Sequence, residues 1–366
     1  MDKNKPLHWE QLEEDFKKGH SIVLFLGTGV NMGVQGIDYS WNALLSHLLL
    51  YATSQITHDG EEIMAKMLQN SVGEMIKSNA SLDDLKEQIA IDLMFPRDVK
   101  STIVKQTIGN ESFVKLIQDF LYRRMSRERL EKAADIFIND LKKSSSDSEQ
   151  HIDFFSLFSV VDLILRNRNI RAVVTQNYDQ FLCDAMRKMK NDKTYCEYVN
   201  ERNVDKRKKV EVRDISPSAI CDWKGQTKFA YDGINIYHVH GYIPRYEEIQ
   251  APKDNRIVLS MDEFYEDSRN VYSWQIASQL HFLSQYTCIF CGLSLDDYTN
   301  QRLLHYVKGK HHGNLYYLTA GSAGSRVKDR IKNEFHEKNG LTVLYDENGY
   351  KHLYKLLRDL QYECKQ

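Results

Sequence analysis

Three apolar runs in this chain are each followed directly by a short polar or glycine-rich motif, and this repeated arrangement limits the folds that the chain can adopt. The runs cover residues 21–26, 170–175 and 234–239, and a fourth run at 286–291 leads into Gly292. Short continuous apolar runs are typical of strands that are buried on both faces. Helical patterns lie between them, and successive strands joined by helices require crossover connections. The pattern therefore predicts an α/β fold with a doubly wound, mainly parallel, Rossmann-like sheet.

The strand–helix alternation is interrupted once, which predicts a domain organisation. We expect residues 1–54 and 151–366 to form the Rossmann-like core and residues 55–150 to form a mostly helical insertion, because strand-like runs are scarce there. Residues 190–232 are rich in charge and are predicted to form a charged loop or a small subdomain within the core.

The composition excludes several classes of protein. The 366 residues are 42% hydrophobic and carry a net charge of −2, so no basic field indicates nucleic-acid binding. No apolar run approaches the ~20 residues of a membrane span. The N-terminus lacks the apolar core of a signal peptide. These features predict a soluble cytoplasmic protein that binds neither nucleic acid nor membrane.

Two of the six cysteines, Cys288 and Cys291, have a spacing that is found in zinc sites. They lie within a strand-like run, however, and side chains three positions apart on a strand point to opposite faces. The sequence contains no second pair that would complete a tetrahedral site. We therefore interpret both as buried structural thiols and expect no zinc.

The first motif is a glycine loop that contains Gly27, Thr28, Gly29 and Asn31. A turn of this kind between a strand and a helix lets backbone amides approach a pyrophosphate. The spacing of Gly27, Gly29 and Gly33 differs from the standard dinucleotide fingerprint, and no acidic residue follows at the expected distance. From the pattern alone, the loop is either a phosphate cradle or a tight structural turn.

The second motif consists of Thr175, Gln176, Asn177, Tyr178 and Asp179. It places the uncharged amide of Asn177 at the mouth of the sheet, where open α/β sheets collect ligands. Asn and Asp are also favoured in turns and at helix N-termini, so an Asx turn with Asp179 as the helix cap explains the local sequence equally well.

The third and fourth motifs begin at His240 and Gly292. Histidine can accept or donate a proton near neutral pH, and Gly241 would keep the approach to the His240 ring open. His238 would share the same strand face, so the pattern alone does not decide between the two histidines. The loop with Gly292 and Ser294 is either a ligand-binding loop or a capped strand-to-helix turn.

Taken in order, the four motifs resemble those of the sirtuin family. The first loop is similar to the sirtuin Gly-Ala-Gly loop, with Thr28 in place of alanine and Asn31 in place of serine. The second motif is similar to Thr-Gln-Asn-Ile-Asp, with Tyr178 in place of isoleucine. His240 begins the His-Gly-x-Ile-Pro sequence of the family's catalytic histidine, and Gly292 begins a counterpart of the Gly-Thr-Ser-Leu loop.

The resemblance implies roles for these residues in chemistry on NAD+. Asn177 would position the reacting water or ribose, His240 would act on a ribose hydroxyl, and Asp179 would help to hold the nicotinamide amide. The remaining motif residues would bind NAD+, and they are Gly27, Thr28, Gly29, Asn31, Thr175, Gln176, Tyr178, Gly292 and Ser294.

Departures from the sirtuin pattern indicate one branch of the family. The paired Cys-x-x-Cys modules of the zinc subdomain are absent, and residues 36–41 replace the Asp-Phe-Arg segment of the deacylases. The sequence therefore resembles the sirtuin-like NADases of bacterial anti-phage defence, a group that includes Thoeris, HerA-linked and Argonaute-linked members. This resemblance implies an NAD+ glycohydrolase that cleaves its substrate NAD+ to nicotinamide and ADP-ribose and depletes NAD+ in abortive infection.

The same resemblance implies regulation by assembly, through a homo-oligomer, a HerA-like ATPase, an Argonaute or another phage-sensing partner. Two other functions remain open. The chain could be a zinc-free NAD-dependent protein deacylase or ADP-ribosyltransferase, which would need a peptide or protein acceptor. It could also be a non-enzymatic sensor that binds NAD+ or ADP-ribose without turnover.

Overall fold

In the computed structural model the sheet has seven parallel strands. The apolar runs predict a mainly parallel sheet of this type. The structure describes residues 5–32, 44–45, 47–48, 97–143, 154–201, 211–215, 233–245, 257–269, 273–295, 298–321 and 326–360. The strands are β1 Ile22–Leu26, β2 Ile170–Thr175, β3 Glu211–Ile215, β4 Gly233–His238, β5 Thr287–Cys291, β6 Leu315–Ala320 and β7 Thr342–Asp346. Their order is β3-β4-β2-β1-β5-β6-β7, and each described pair is parallel.

Helices connect the strands and cover the sheet. They are α1 Trp9–Lys17, α2 Arg97–Ile108, α3 Asn110–Arg124, α4 Arg127–Lys143, α5 Phe155–Arg166, α6 Phe181–Asn191, α7 Lys193–Glu201, α8 Met261–Arg269, α9 Trp274–Gln285, α10 Tyr298–Val307, α11 Arg326–Lys338 and α12 Tyr350–Asp359. A 3₁₀ helix at Thr28–Asn31 follows β1 directly. None of the helices in these described stretches is long and apolar enough to cross a membrane.

The strand order creates a topological switch point beside β1. The chain passes from β1 to β2 on one side of the sheet and later returns to β5 on the other side. The ends of the central strands are also in register, because Leu26 pairs with both Thr175 and Cys291, and Thr175 pairs with His238. All four chain segments that follow these residues therefore leave the sheet at one edge, which is where ligands bind in open α/β sheets.

The side chains of the strands alternate between two hydrophobic clusters, one on each face of the sheet. Leu24 and Leu26 belong to the larger cluster, whereas Val23 and Phe25 belong to the smaller one. The same alternation places Cys291 in the larger cluster and Cys288 in the smaller one. The two thiols therefore lie on opposite faces, as predicted. Within the described stretches no group of three or more His, Cys, Asp or Glu side chains could hold a metal ion.

The insertion is helical wherever the structure describes it. Helices α2, α3 and α4 follow one another without a strand between residues 97 and 143. Phe113, Phe120 and Phe137 from these helices are buried in the same cluster as β1. Residues 55–96 and 144–150 of the predicted insertion lie outside the described residues. The division of the chain into a core and an insertion stays a prediction.

Several elements of the fold were not predicted from the sequence. Helix α7 and strand β3 lie within residues 190–232, for which we predicted a charged loop or a small subdomain without naming these elements, and helices α8 and α9 between β4 and β5 were not predicted. Helix α7 buries Tyr195 and Tyr198 in the larger cluster although most of its residues are polar. Strand β3 lies at the edge of the sheet and contains charged residues, as edge strands often do. Its sequence therefore lacks the continuous apolar run by which a buried strand is recognised. Residues 202–210 and 216–232 of this charged stretch lie outside the described residues.

Candidate functional site

The two glycine loops meet at the switch point. The Gly27 amide donates to the Cys291 carbonyl at 3.0 Å, and the Gly29 amide donates to the Gly292 carbonyl at 3.0 Å. A Cβ atom on Gly27 would lie 2.5 Å from the Gly292 carbonyl oxygen, and one on Gly292 would lie 2.5 Å from the Val30 nitrogen. The glycines are therefore needed for backbone-to-backbone contact between the loops. Because the two amides bond within the protein, phosphate binding by this loop stays a prediction.

Asn177 is fixed beside the first glycine loop. Its backbone amide donates to Thr175 Oγ1 at 3.1 Å, and its side-chain Nδ2 donates to the Gly27 carbonyl at 3.1 Å. The Thr175 hydroxyl in turn donates to the Leu26 carbonyl at 3.2 Å. These bonds hold the side chain across the ends of β2 and β1. The turn at this point is formed by the Thr175 side chain, and the Asn177 side chain is left to bond with the first loop.

The oxygen of the Asn177 side chain is the clearest sign of a ligand site. Asn177 is only 6% exposed, and its Oδ1 has no hydrogen-bond partner among the described residues. Because Nδ2 must face the Gly27 carbonyl, the orientation of the amide is settled and Oδ1 is an acceptor. A buried acceptor without a partner is costly, so we expect a donor from water or a ligand to face it.

Asp179 is tied to the first loop and to the first residue of α6, whose N-cap position is Gln180. Its Oδ2 accepts a bond of 2.7 Å from Asn31 Nδ2, and its Oδ1 accepts a bond of 3.0 Å from the Phe181 amide at the start of α6. Burial raises the pKa of Asp179 to about 6, against the lowering effects of the Phe181 amide, His238 and Asn31. The carboxyl group therefore titrates just below neutral pH, close to the range in which acid–base catalysts operate.

The two histidines that the sequence left ambiguous have different environments. His238 ends β4, is buried, and places Nδ1 at 3.0 Å from the Asn177 carbonyl. Because a carbonyl oxygen only accepts, Nδ1 of His238 carries the proton. His240 lies in the following turn, is half-buried, and its carbonyl accepts from the Val258 amide at 2.8 Å. His238 thus supports Asn177, whereas His240 occupies the loop at the sheet edge.

The remaining residues of the second motif bond to protein groups. Gln176 Nε2 donates to Asn300 Oδ1 at 2.8 Å, and Asn300 Nδ2 donates to Gln176 Oε1 at 3.4 Å. Tyr178 is buried, and its hydroxyl donates to the Val258 carbonyl at 2.8 Å. Its backbone carbonyl accepts from the Ile243 amide at 2.8 Å. These contacts place the Tyr178 side chain inside the protein, and a role in binding NAD+ stays a prediction.

The structure therefore brings most of the predicted residues to one edge of the sheet. Hydrogen bonds or backbone contact join the residues Gly27, Gly29, Asn31, Thr175, Asn177, Asp179 and Gly292. Thr28 is half-buried in the 3₁₀ helix, and Ser294 is exposed on the loop after β5. The catalytic and binding roles of all these residues stay predictions.

Sequence reasoning missed three residues that support the site. Asn300 lies in the first turn of α10 and holds Gln176, so its place after the fourth motif was the available signal. Arg245 follows the third motif directly and donates through Nε to Asp184 Oδ2 at 2.6 Å. Tyr122 lies on α3 within the insertion, and no local pattern distinguishes it from the other buried aromatic residues of that helix.

Comparison with known families adds independent support. Residues 171–344 match the family model of the SIR2-like domain. The match spans slightly less than half of the chain and contains the second, third and fourth motifs, while the first glycine loop precedes it. No curated protein matches the sequence. SIR2-like domains use NAD+, so the match indicates NAD-dependent chemistry in general. Together with the parallel, doubly wound sheet, the matched domain supports a sirtuin-like family for this chain.

Proposed function

We propose that the protein is an NAD+ glycohydrolase with Asn177 at the centre of its site. The observation that carries the proposal is the buried Oδ1 of Asn177, which has no partner among the residues that the structure describes. The Gly27 carbonyl accepts from the side-chain Nδ2 of Asn177, and the Thr175 hydroxyl accepts from its backbone amide, so the residue is held in place. A fixed, uncharged acceptor is suited to orienting a water molecule for attack without repelling or trapping the substrate.

The residues present fit the chemical needs of this reaction. Hydrolysis breaks the bond between the ribose anomeric carbon and the nicotinamide ring nitrogen, and the bonding electron pair leaves with nicotinamide and neutralises its ring charge. The oxygen of water forms the new bond to carbon, and a proton is released. The transition state resembles an oxocarbenium ion, so preorganised polar groups assist it more than a strong nucleophile does.

Each of the three proposed catalytic residues has its own role. Asn177 Oδ1 accepts a hydrogen bond from the attacking water. His240, half-buried in the loop after β4, accepts a proton from a ribose hydroxyl, for which a histidine is suited near neutral pH. Asp179 holds the leaving nicotinamide amide, and its bond to Asn31 also keeps the first two motifs together. The glycine loops and Ser294 contact the phosphates and the adenosine side.

We further propose that the activity serves anti-phage defence by depleting NAD+ in the cytoplasm. The ordered motif set supports this proposal, as do the missing paired Cys-x-x-Cys modules and the replaced Asp-Phe-Arg segment, which disfavour protein deacylation. A depleting enzyme must be inactive until it is needed. We therefore expect a homo-oligomer or a partner such as a HerA-like ATPase, an Argonaute or a phage sensor to control it.

Product analysis tests the proposed reaction against the two alternatives. Purified protein is incubated with NAD+, alone, with an acylated peptide, and with the product of the neighbouring gene. A glycohydrolase releases nicotinamide and ADP-ribose in equal amounts without the peptide. A deacylase or transferase forms product only when an acceptor is present. A sensor leaves NAD+ intact in every reaction, and this last result would refute the proposed enzymatic function.

A further inference from the structure

The hydroxyl group of Tyr122 joins two of the four motif loops. Tyr122 lies near the end of α3, is 6% exposed, and donates its hydroxyl proton to the Ile243 carbonyl. The same oxygen accepts from the Gln180 amide at 3.1 Å. Gln180 follows Asp179 directly, and Ile243 lies three residues after His240. One oxygen atom therefore contacts the backbone of both loops that carry the proposed catalytic groups.

The chemistry of the two bonds fixes which state of the phenol is present. A carbonyl oxygen only accepts, so the hydroxyl proton must lie toward Ile243, and a lone pair then remains for the Gln180 amide. Burial and the nearby charge of Asp179 raise the pKa of Tyr122 well above its usual value. The phenol consequently stays protonated, as this bridge requires.

The surroundings of Tyr122 hold its ring in one place. The ring packs edge-on against Phe181 with the centroids 5.6 Å apart, and the Arg245 guanidinium lies 4.7 Å from the ring centroid on its face. Arg245 is itself held by Asp184 at 2.6 Å and by the Met125 carbonyl at 2.8 Å. The position of the hydroxyl is thus set by a packed, ion-paired environment.

A second contact from the same helix reaches the same loop. Gln118 lies one helical turn before Tyr122, and its Nε2 donates to the Pro244 carbonyl at 2.7 Å. The carbonyls of Ile243 and Pro244 are adjacent in the chain, so α3 holds two successive peptide groups of the histidine loop. The loop also bonds to the second motif through the Ile243 amide and the Tyr178 carbonyl.

We infer that Tyr122 is a positioning residue for the reaction, which sets the distance between the loop of Asn177 and Asp179 and the loop of His240. The inference rests on the proposed function. It assigns to an insertion helix a role in catalysis although no residue of that helix belongs to the four motifs. A displacement of about 1 Å between catalytic groups can reduce a rate about 100-fold, so loss of the bridge should act on turnover.

The variant Tyr122→Phe removes the hydroxyl and keeps the packed ring. We expect kcat for NAD+ cleavage to fall about 10- to 100-fold while the KM for NAD+ changes little, because the glycine loops remain in contact. The matched control is Tyr316→Phe, which removes a buried tyrosine hydroxyl from Asp15 Oδ2 at 2.8 Å near the amino end of β6. The control should leave kcat unchanged.

The measurements separate the possible outcomes. Equal kcat values for Tyr122→Phe and wild type, with both proteins folded, would overturn the inference while leaving the proposed function intact. If Tyr122→Phe does not fold, Gln118→Ala is used instead, and an unchanged kcat would then overturn it. If the wild type itself releases no nicotinamide, the proposed function fails. Hydrogen exchange over residues 240–245 then decides whether the hydroxyl holds the loop, because unchanged exchange in Tyr122→Phe would contradict the bridge.

Discussion

Asn31 donates a buried hydrogen bond of 2.7 Å to Asp179, which lies 148 positions later in the chain. This bond joins the loop after β1 to the loop after β2, and the Asn177 side chain makes a second bond between the same loops through the Gly27 carbonyl. Asp179 accepts the hydrogen bond from Asn31 in its ionised, carboxylate form. Protonation would turn one of the carboxyl oxygens into a donor and weaken its ability to accept from Asn31 and the Phe181 amide. We therefore expect the geometry of the site to depend on the ionisation of Asp179.

The first prediction concerns Asn31→Ala. Removing the amide leaves a buried carboxylate oxygen without this donor, so we expect a loss of about 1–3 kcal/mol in the free energy of unfolding. The pKa of Asp179 should rise above about 6, since the bond from Asn31 lowers it. The acidic limb of the pH–kcat profile should move to higher pH. Chemical denaturation and steady-state kinetics measure the two effects.

Asn314→Ala is the matched control for this prediction. Asn314 Nδ2 donates to Asp15 Oδ2 at 2.8 Å, so the control removes the same kind of bond between the residue before β6 and α1. It should lower stability but leave the acidic limb in place. Identical acidic limbs for wild type and both variants would contradict the role that we assign to Asn31.

The second prediction concerns the pH dependence of stability. The folded-state pKa of Asp179 is raised to about 6, whereas an unfolded Asp titrates near about 3.9. Between these values the folded protein holds a proton that the unfolded chain has lost. The contribution of Asp179 to stability is therefore fully present below about pH 4, falls as the pH rises to about 6, and is constant above that, with a total change of about 3 kcal/mol.

Asp179→Asn should abolish this pH dependence, because an amide does not titrate and Asn31 can turn its own amide to face it. The free energy of unfolding is measured from pH 4 to pH 7 for both proteins. We expect the free energy of unfolding of the wild type to fall by about 3 kcal/mol relative to that of Asp179→Asn between pH 4 and pH 7. Parallel curves over the whole range would show that Asp179 has an ordinary pKa in the folded protein.

The central strands of this fold could be predicted from sequence because strands buried on both faces are continuous apolar runs. Four central strands agree with the predicted runs within one residue at either end. The edge strand β3 was missed, since its Glu-Val-Arg-Asp-Ile sequence contains three charged residues and is not a continuous apolar run. Helices α8 and α9 were also missed, because they directly follow no apolar strand run or motif that would mark their positions.

The site was predictable as a set of motifs but not as a set of contacts. The bond between Asn31 and Asp179 depends on the register of β1 and β2, which no local pattern reveals. The distinct environments of His238 and His240 depend on where β4 ends. The Tyr122 bridge depends on the packing of an insertion helix against two loops. Each of these features is a product of tertiary structure.

The third prediction concerns the contact between the glycine loops. Gly292 has φ +65° and Gly309 has φ +69°, so alanine at either position incurs a similar backbone strain of about 1–2 kcal/mol. At Gly309 nothing lies within 4 Å of the added Cβ atom, whereas at Gly292 the Val30 nitrogen lies 2.5 Å away. Gly292→Ala should therefore destabilise the protein considerably more than Gly309→Ala in denaturant titrations. Equal losses would refute the tight packing of the two loops.

The fourth prediction concerns Tyr178, which the family resemblance would place among the residues that bind NAD+. Its buried hydroxyl donates to the Val258 carbonyl. Tyr178→Phe should lower the free energy of unfolding by about 1 kcal/mol and leave the KM for NAD+ unchanged. Kinetics at constant folded fraction measure the second effect. A clear rise in KM would show instead that the tyrosine hydroxyl contributes to substrate binding.

The most direct measurement is the initial rate of nicotinamide release from saturating NAD+ by the wild type and by Asn177→Ala, with folding of both checked by circular dichroism. Asn177 holds the buried acceptor on which the proposed mechanism depends. We predict steady release by the wild type in its active assembly and a loss of at least about 100-fold in Asn177→Ala, the size expected when a preorganised polar group is removed. Nicotinamide release by a folded Asn177→Ala at the wild-type rate would contradict the account.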